Sequence, residues 1–261
     1  MTASGDPFGR HSRPLFLRID RGRGLHKACH PLAGSRDADA DFRRYLHQIR
    51  QAIKALSLDL TSTSSGFILG YHGWDRAVGE RLLDGEPFQP SNNEYDWLGS
   101  GIYFSQTNPE RGLDFALETS RRKPSTVMQP FVIGAVLEPG LCLDLTTTTG
   151  IEWVRIAYNV LLETAAASGV PMPENSADGL RRNLDCAVIR RLRAIVESEG
   201  MPAVDTVKGV FAEGKPVYPG AGFDEKTHIQ MAVRNPNCIK GVFRVSGESA
   251  ERREARRRAK R

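Results

Sequence analysis

No stretch of this 261-residue sequence stays apolar for the roughly 20 residues that a bilayer-crossing helix needs, so no membrane partner is expected. The opening residues, MTASGDPFGRHSRP, lack the hydrophobic run of a signal peptide. Cysteine is scarce: Cys29, Cys142, Cys186 and Cys238 stand far apart and form no CxxC pair. That spacing indicates neither a zinc site nor a disulfide framework, and reduced thiols in a cytoplasmic protein are the simplest account. Internal repeats are missing too, which sets solenoids and propellers aside.

What is present is the mix of a soluble globular chain, 40% hydrophobic and 26% charged, long enough to bury a real core. The net charge of +5 and an isoelectric point of about 9.1 favour anionic partners, nucleic acid among them. Much of this charge sits at the end. Residues 247–261, GESAERREARRRAKR, hold seven Lys or Arg against three Glu. They read as a solvated helical extension or solubilising tail, or as an electrostatic arm for phosphate backbones.

Three regions follow from the pattern. Residues 1–60 are a lead-in rich in Arg, His, Gly and Pro, then a helix carrying Phe42, Tyr45, Leu46, Ile49, Ile53 and Leu56 at helical spacing. Residues 61–246 carry strand-like runs at 67–71, 101–104, 131–137, 141–145, 204–212, 227–233 and 238–245. Asp75 and Asn108-Pro109 start helices between the first of these, and two longer helices near 151–168 and 177–199 form an insertion at about 150–200. The second carries an apolar stripe of Leu180, Leu184, Val188, Leu192 and Ile195. Its arginines, Arg181, Arg182, Arg190, Arg191 and Arg193, are expected on the water side. The fold class is α+β with a mostly antiparallel strand set.

Three short segments carry chemistry. In Gly70-Tyr71-His72-Gly73-Trp74, an imidazole at a strand end adjoins a glycine whose backbone a ligand can approach closely. In Trp97-Leu98-Gly99-Ser100-Gly101-Ile102-Tyr103-Phe104, two glycines precede a strand and leave room beside Tyr103 for a planar ring. This is no phosphate loop, because it lacks the Lys-Ser/Thr ending and opens a strand. In Thr227-His228-Ile229-Gln230-Met231-Ala232-Val233, alternation puts His228 and Gln230 on one face of a strand. A structural histidine, an ordinary glycine turn and a solvent-facing edge are the plain readings of the three.

Taken in order, YHG, LGxGIYF and a late strand with a polar residue resemble the poly(ADP-ribose) polymerase and diphtheria-toxin class of ADP-ribosyltransferases, over about 67–137 and 204–245. That class is marked by His, Tyr and Glu on three separated strands. The resemblance implies split antiparallel β-sheets with flanking helices, and NAD+ as co-substrate. It implies that His72 hydrogen-bonds the nicotinamide-side ribose and that Gly73 holds the carboxamide through its backbone. Tyr103 would stack on the nicotinamide ring, and Ser105 would contribute a hydroxyl. Gln230 stands where the class places its catalytic Glu, so the catalytic set reads His72, Tyr103 and Gln230.

That departure matters chemically. Breaking the glycosidic bond leaves an oxocarbenium-like ribose that a carboxylate stabilises by charge. A glutamine amide can only hydrogen-bond. Within the class, losing the Glu goes with transfer of single units or with loss of activity, unless a carboxylate such as Glu213, Asp224 or Glu225 moves in. The loop holding those three also carries Tyr218 and Phe223, which either stack on an acceptor or anchor the loop to its core. The expected activity is mono-ADP-ribosylation of a macromolecule, with RNA or DNA favoured over protein, as in a bacterial toxin or defence enzyme with a neutralising antitoxin protein. The alternatives are an NAD+ glycohydrolase and a catalytically silent module that binds NAD+, ADP-ribose or nucleic acid.

Overall fold

The computed structural model describes residues 66–246, together with Gln51. The lead-in and helix expected over 1–60 and the basic tail at 247–261 lie outside the described residues. Within them the chain runs β1 (Ile68–Asp75), α1 (Arg76–Leu83), β2 (Ile102–Gln106), α2 (Pro109–Ser120), β3 (Pro130–Leu137), β4 (Cys142–Asp144), α3 (Thr148–Ser168), α4 (Asn183–Ser198), β5 (Thr206–Phe211), β6 (His228–Val233) and β7 (Ile239–Arg244). No described helix is long and apolar enough to cross a membrane. Cys142, Cys186 and Cys238 are free thiols.

Local chemistry sets most of the boundaries. Asp75 ends β1 and starts α1 by accepting a hydrogen bond from the Ala77 N–H at 3.0 Å. Asn108 does the same for α2 through the Arg111 N–H at 2.8 Å, with Pro109 at the first helical position, where its missing N–H costs nothing. Thr147 caps α3, and Gly169, with φ of 64°, closes it in the left-handed region that glycine favours. The start of α4 differs from the sequence reading. Residues 176–182 form a turn held by Ser176 and Asp178, and Asn175 Oδ1 accepts from the Leu184 N–H at 2.9 Å. Leu180 therefore precedes the helix and is exposed, while Val188, Leu192 and Ile195 fill the expected stripe.

The strands form one hydrogen-bonded sheet of seven, in the order β4-β5-β6-β2-β1-β3-β7. The α+β class holds, but the split antiparallel pair of sheets is replaced by a single mixed sheet. Its one parallel pair is β4 with β5, and α3 and α4 are the long crossover that a parallel connection needs. Pairing is uneven along the sheet. β1 pairs with β3 along all eight residues, from Ile68 with Leu137 to Asp75 with Pro130. Against β2 it pairs only at Gly70 with Gln106 and Tyr71 with Ser105. His72 thus lies inside a strand and not at its end, because β3 carries the ladder onward to Asp75.

Two apolar clusters cover the sheet. Leu143, Trp153, Val188, Leu192, Val207 and Ala232 join α3 and α4 to β4, β5 and β6 on one face. On the other face, Ile102, Phe104, Ala135, Leu137, Met231 and Val233 bring residues of β1's two neighbours, β2 and β3, together with β6. Helix α2 lies against β1 so closely that a Cβ on Gly73 would stand 1.7 Å from the Gly112 carbonyl oxygen. Backbone cannot yield there as a side chain can.

Gly73→Ala should therefore cost about 3 kcal/mol or more of stability, at or beyond the upper range for overpacking. Gly112→Ala meets the Val132 methyl at 2.9 Å, with the Tyr71 Cβ at 3.4 Å, and gains helix propensity, so it should cost about 1 kcal/mol or less. Equilibrium urea unfolding of both variants measures the difference, and near-equal values would refute the close helix–strand contact.

Candidate functional site

The residues singled out in the sequence lie on three neighbouring strands, in the order β6-β2-β1. Continuing the β1–β2 register past Tyr71 and Ser105 would set His72 beside Phe104, but backbone pairing has stopped there. His72 instead uses its ring: Nδ1 lies 2.9 Å from the Tyr103 carbonyl oxygen. A carbonyl only accepts, so Nδ1 carries the proton and Nε2 of the neutral ring keeps its lone pair. Burial lowers the His72 pKa below the ordinary histidine value, with the bond to Tyr103 opposing that shift. The rings of Phe88 and Phe104 flank it at 5.7 and 5.8 Å. At neutral pH the seam thus holds a neutral imidazole of fixed tautomer.

Tyr103 is tied to the turn before it. Its hydroxyl donates to the Gly99 carbonyl at 2.8 Å and accepts from the Leu98 N–H at 3.1 Å. Burial, with Asp96 adding to it, pushes the hydroxyl's pKa far above the usual tyrosine value. The hydroxyl therefore has a structural task, and the half-buried ring packs against the apolar cluster beneath α3 and α4. Gly73 also has one, since α2 packs on it. Its backbone edge toward β2 lies beyond the last β1–β2 pair, as the expected carboxamide contact requires.

Ser105 and Gln230 are direct partners across β2 and β6, and Ser105 is buried. By register, Tyr103, Ser105, His228 and Gln230 share one face of the sheet, while His72 belongs to the face of Gly70 and Phe104. His72 meets the others only through the seam.

Gln230 sits in a chain of bonds. Its Oε1 accepts from the Trp97 indole N–H at 2.7 Å, and its Nε2 lies 2.9 Å from His228 Nε2. His228 Nδ1 in turn lies 2.7 Å from the Lys226 carbonyl. His228's pKa is lowered, chiefly by burial. The sequence shows that His228 and Gln230 share a face, but it cannot show Trp97 as a partner 133 residues away.

Of the three carboxylates considered as substitutes, only Glu213 has an ion-paired place close by. It binds Arg111 at 2.6 Å and Lys226 at 3.4 Å, and the same two cations pair with Glu118. Two cations already neutralise it, and both it and Arg111 are largely buried. Asp224 and Glu225 stay in the loop, Glu225 exposed. Tyr218 and Phe223 are exposed at 56% and 68%, so they do not anchor the loop to the core.

The arginines near α4 do not simply face water. Arg190 bonds Asn92 Oδ1 and the Asn93 carbonyl, each at 3.1 Å, and Arg193 bonds Ser100 Oγ at 2.9 Å. Arg182 lies over the rings of Trp97 and Phe211, at 5.2 and 4.7 Å. These side chains hold the loop that leads into β2. Beside them, a cavity of about 500 Å³ opens between α3 and α4, with Trp97 in its wall.

No sequence-family model matches the chain, and neither a curated protein nor a solved structure matches it.

Two outcomes follow from the site's geometry. Tyr103→Phe keeps the ring but leaves the Leu98 N–H and Gly99 carbonyl without their partner, and should cost roughly 1–3 kcal/mol in urea unfolding. An unchanged midpoint would mean the hydroxyl does not hold the turn. The second outcome concerns pH. His72 and His228 have folded-state pKa values below the unfolded value of about 6.5, so acid protonates the unfolded chain first. Stability should be full above that value and decline as pH falls through it. The urea midpoint should be lower at about pH 5.5 than at about pH 7.5, with a smaller gap in His72→Gln. A midpoint that rose on acidification would contradict the buried neutral rings.

Proposed function

We propose that this protein is an NAD+-dependent mono-ADP-ribosyltransferase acting on a macromolecule, with His72, Tyr103 and Gln230 around the reacting ribose. The observation that carries the reading is the neutral His72 imidazole, fixed by the Tyr103 carbonyl where β1–β2 pairing ends. A lone pair on Nε2 at an interrupted ladder suits a ribose hydroxyl that must be held while the nicotinamide bond breaks. Gly73 would take the carboxamide, Tyr103 would offer its ring to the nicotinamide, and Ser105 would add a hydroxyl.

Gln230 supplies orientation without charge, so the developing ribosyl cation lacks the stabilisation that a free carboxylate gives. Single-unit transfer fits that weaker assistance better than polymer growth does. The net positive charge favours RNA or DNA as acceptor over protein. With the α4 arginines occupied by the loop before β2, that preference rests on charge elsewhere. The exposed Tyr218 and Phe223 are suited to stack on a base. A toxin or defence role, with an antitoxin partner, is the biological setting that such a reaction suits.

The same neutral Gln230 favours a second reading, a module that binds NAD+ or ADP-ribose without turning it over. An NAD+ glycohydrolase, which passes ADP-ribose to water, differs only in acceptor.

One experiment separates the three. The protein is incubated with NAD+ labelled in its adenylate and with total cell extract, and the products are digested separately with nuclease and protease. Label removed by nuclease is expected, with about a 100-fold fall in His72→Ala. Nicotinamide release at the same rate without extract would indicate the glycohydrolase. Calorimetric binding with no release would indicate the silent module, and labelling unaffected by His72→Ala would overturn the site.

A further inference from the structure

The hydrogen-bond chain through Gln230 has a direction that its chemistry dictates. An indole N–H only donates, so the amide atom 2.7 Å from Trp97 Nε1 must be oxygen. The opposite amide orientation would set two donors against each other. At the other end, the Lys226 carbonyl only accepts, so His228 carries its proton on Nδ1. The neutral ring then has an acceptor at Nε2, and it takes an N–H from Gln230 at 2.9 Å. Each contact permits one arrangement, running from Trp97 through Gln230 and His228 to the Lys226 carbonyl.

We propose that Trp97 and His228 are positioning residues that hold Gln230 as an oriented amide, so that this position is built for glutamine and presents one N–H donor to its ligand. One Nε2 hydrogen goes to His228, and the other has no partner among the described residues. The complementary ligand atom is a neutral acceptor, such as a sugar hydroxyl oxygen. The assignment of that ligand rests on the NAD+ reading above, but the orientation of the amide does not.

A glutamate in this place would not be a simple restoration of charge. One carboxylate oxygen could still accept from Trp97, but the other would face the lone pair on His228 Nε2. A proton taken up between the two groups relieves that repulsion, and on the more basic imidazole it gives an imidazolium–carboxylate pair. The surroundings bear on this proton from several elements. Burial and Arg111 from α2 oppose it, while Glu118 from α2 and Glu213, just after β5, favour it. Lys226 leads into the same strand, and the Phe211 ring of β5 meets the imidazole at 5.8 Å. Gln230→Glu should thus shift the titration of His228 upward, because a carboxylate in contact with the imidazole favours its charged form.

Nitrogen-15 NMR of the histidine side chains in the full chain, assigned with His228→Gln, tests this directly. The wild type should show His228 as the neutral Nδ1–H tautomer at pH 7.5. Gln230→Glu should raise its titration midpoint by about one pH unit or more. Trp97→Phe, which keeps a ring but removes the donor, should weaken NAD+ binding roughly five- to tenfold in calorimetry while the His228 tautomer persists. An Nε2–H tautomer in the wild type would overturn the proposal even if the variants failed to fold. An unshifted His228 in a folded Gln230→Glu would overturn it as well. The expected tautomer and shift in a protein that binds no NAD+ would uphold the oriented amide and defeat the NAD+ reading instead.

Discussion

Where the backbone ladder between β1 and β2 stops after Tyr71 and Ser105, an imidazole–carbonyl hydrogen bond takes over from it. His72 Nδ1–H does for Tyr103 what the next backbone N–H of a continuous sheet would have done. A buried carbonyl left without a donor costs on the order of 1–3 kcal/mol, so the ring satisfies a structural need before any ligand arrives. It also does what a backbone amide could not, because the far side of the ring offers a lone pair. Burial keeps the ring neutral, and neutrality keeps the lone pair. Local structure, electrostatics and chemistry meet in that one bond.

The remaining site residues divide along similar lines. Tyr103 spends its hydroxyl on Leu98 and Gly99, Gly73 yields its missing side chain to α2, and Glu213 is held by two cations. Each residue type that a motif reader would assign to a ligand already has a packing or bonding task. The glycine's task leaves room for a ligand because it uses the Cα and not the outer backbone edge, while the half-buried tyrosine ring also packs on the core. Gln230 is the fullest case, with its oxygen and one hydrogen engaged inside the protein.

Much of this was legible in the sequence, and the parts that were not have physical reasons. Asp75, Asn108-Pro109 and Gly169 act within a few residues of themselves, so helix starts and ends could be read from local chemistry. The alternation in His228–Val233 revealed which side chains share a face because pleating has a period of two. The single sheet was not legible, since strand order depends on distant pairing, and the split inherited from the resemblance was too strong. Leu180 misled because an apolar residue at helical spacing says nothing of a turn anchored by Asn175. The arginines near α4 misled similarly, since Asn92 and Ser100, their partners, lie some ninety residues back. Trp97 carried no local signal at all.

The short β1–β2 pairing has a mechanical side. The sheet resembles a plate scored along one line, with β4, β5, β6 and β2 to one side and β1, β3 and β7 to the other. Along the score, two residue pairs, the Thr107 N–H bond to the Leu69 carbonyl and one imidazole join the two parts. The apolar cluster containing Phe104, Leu137 and Met231 then bears the load from beneath.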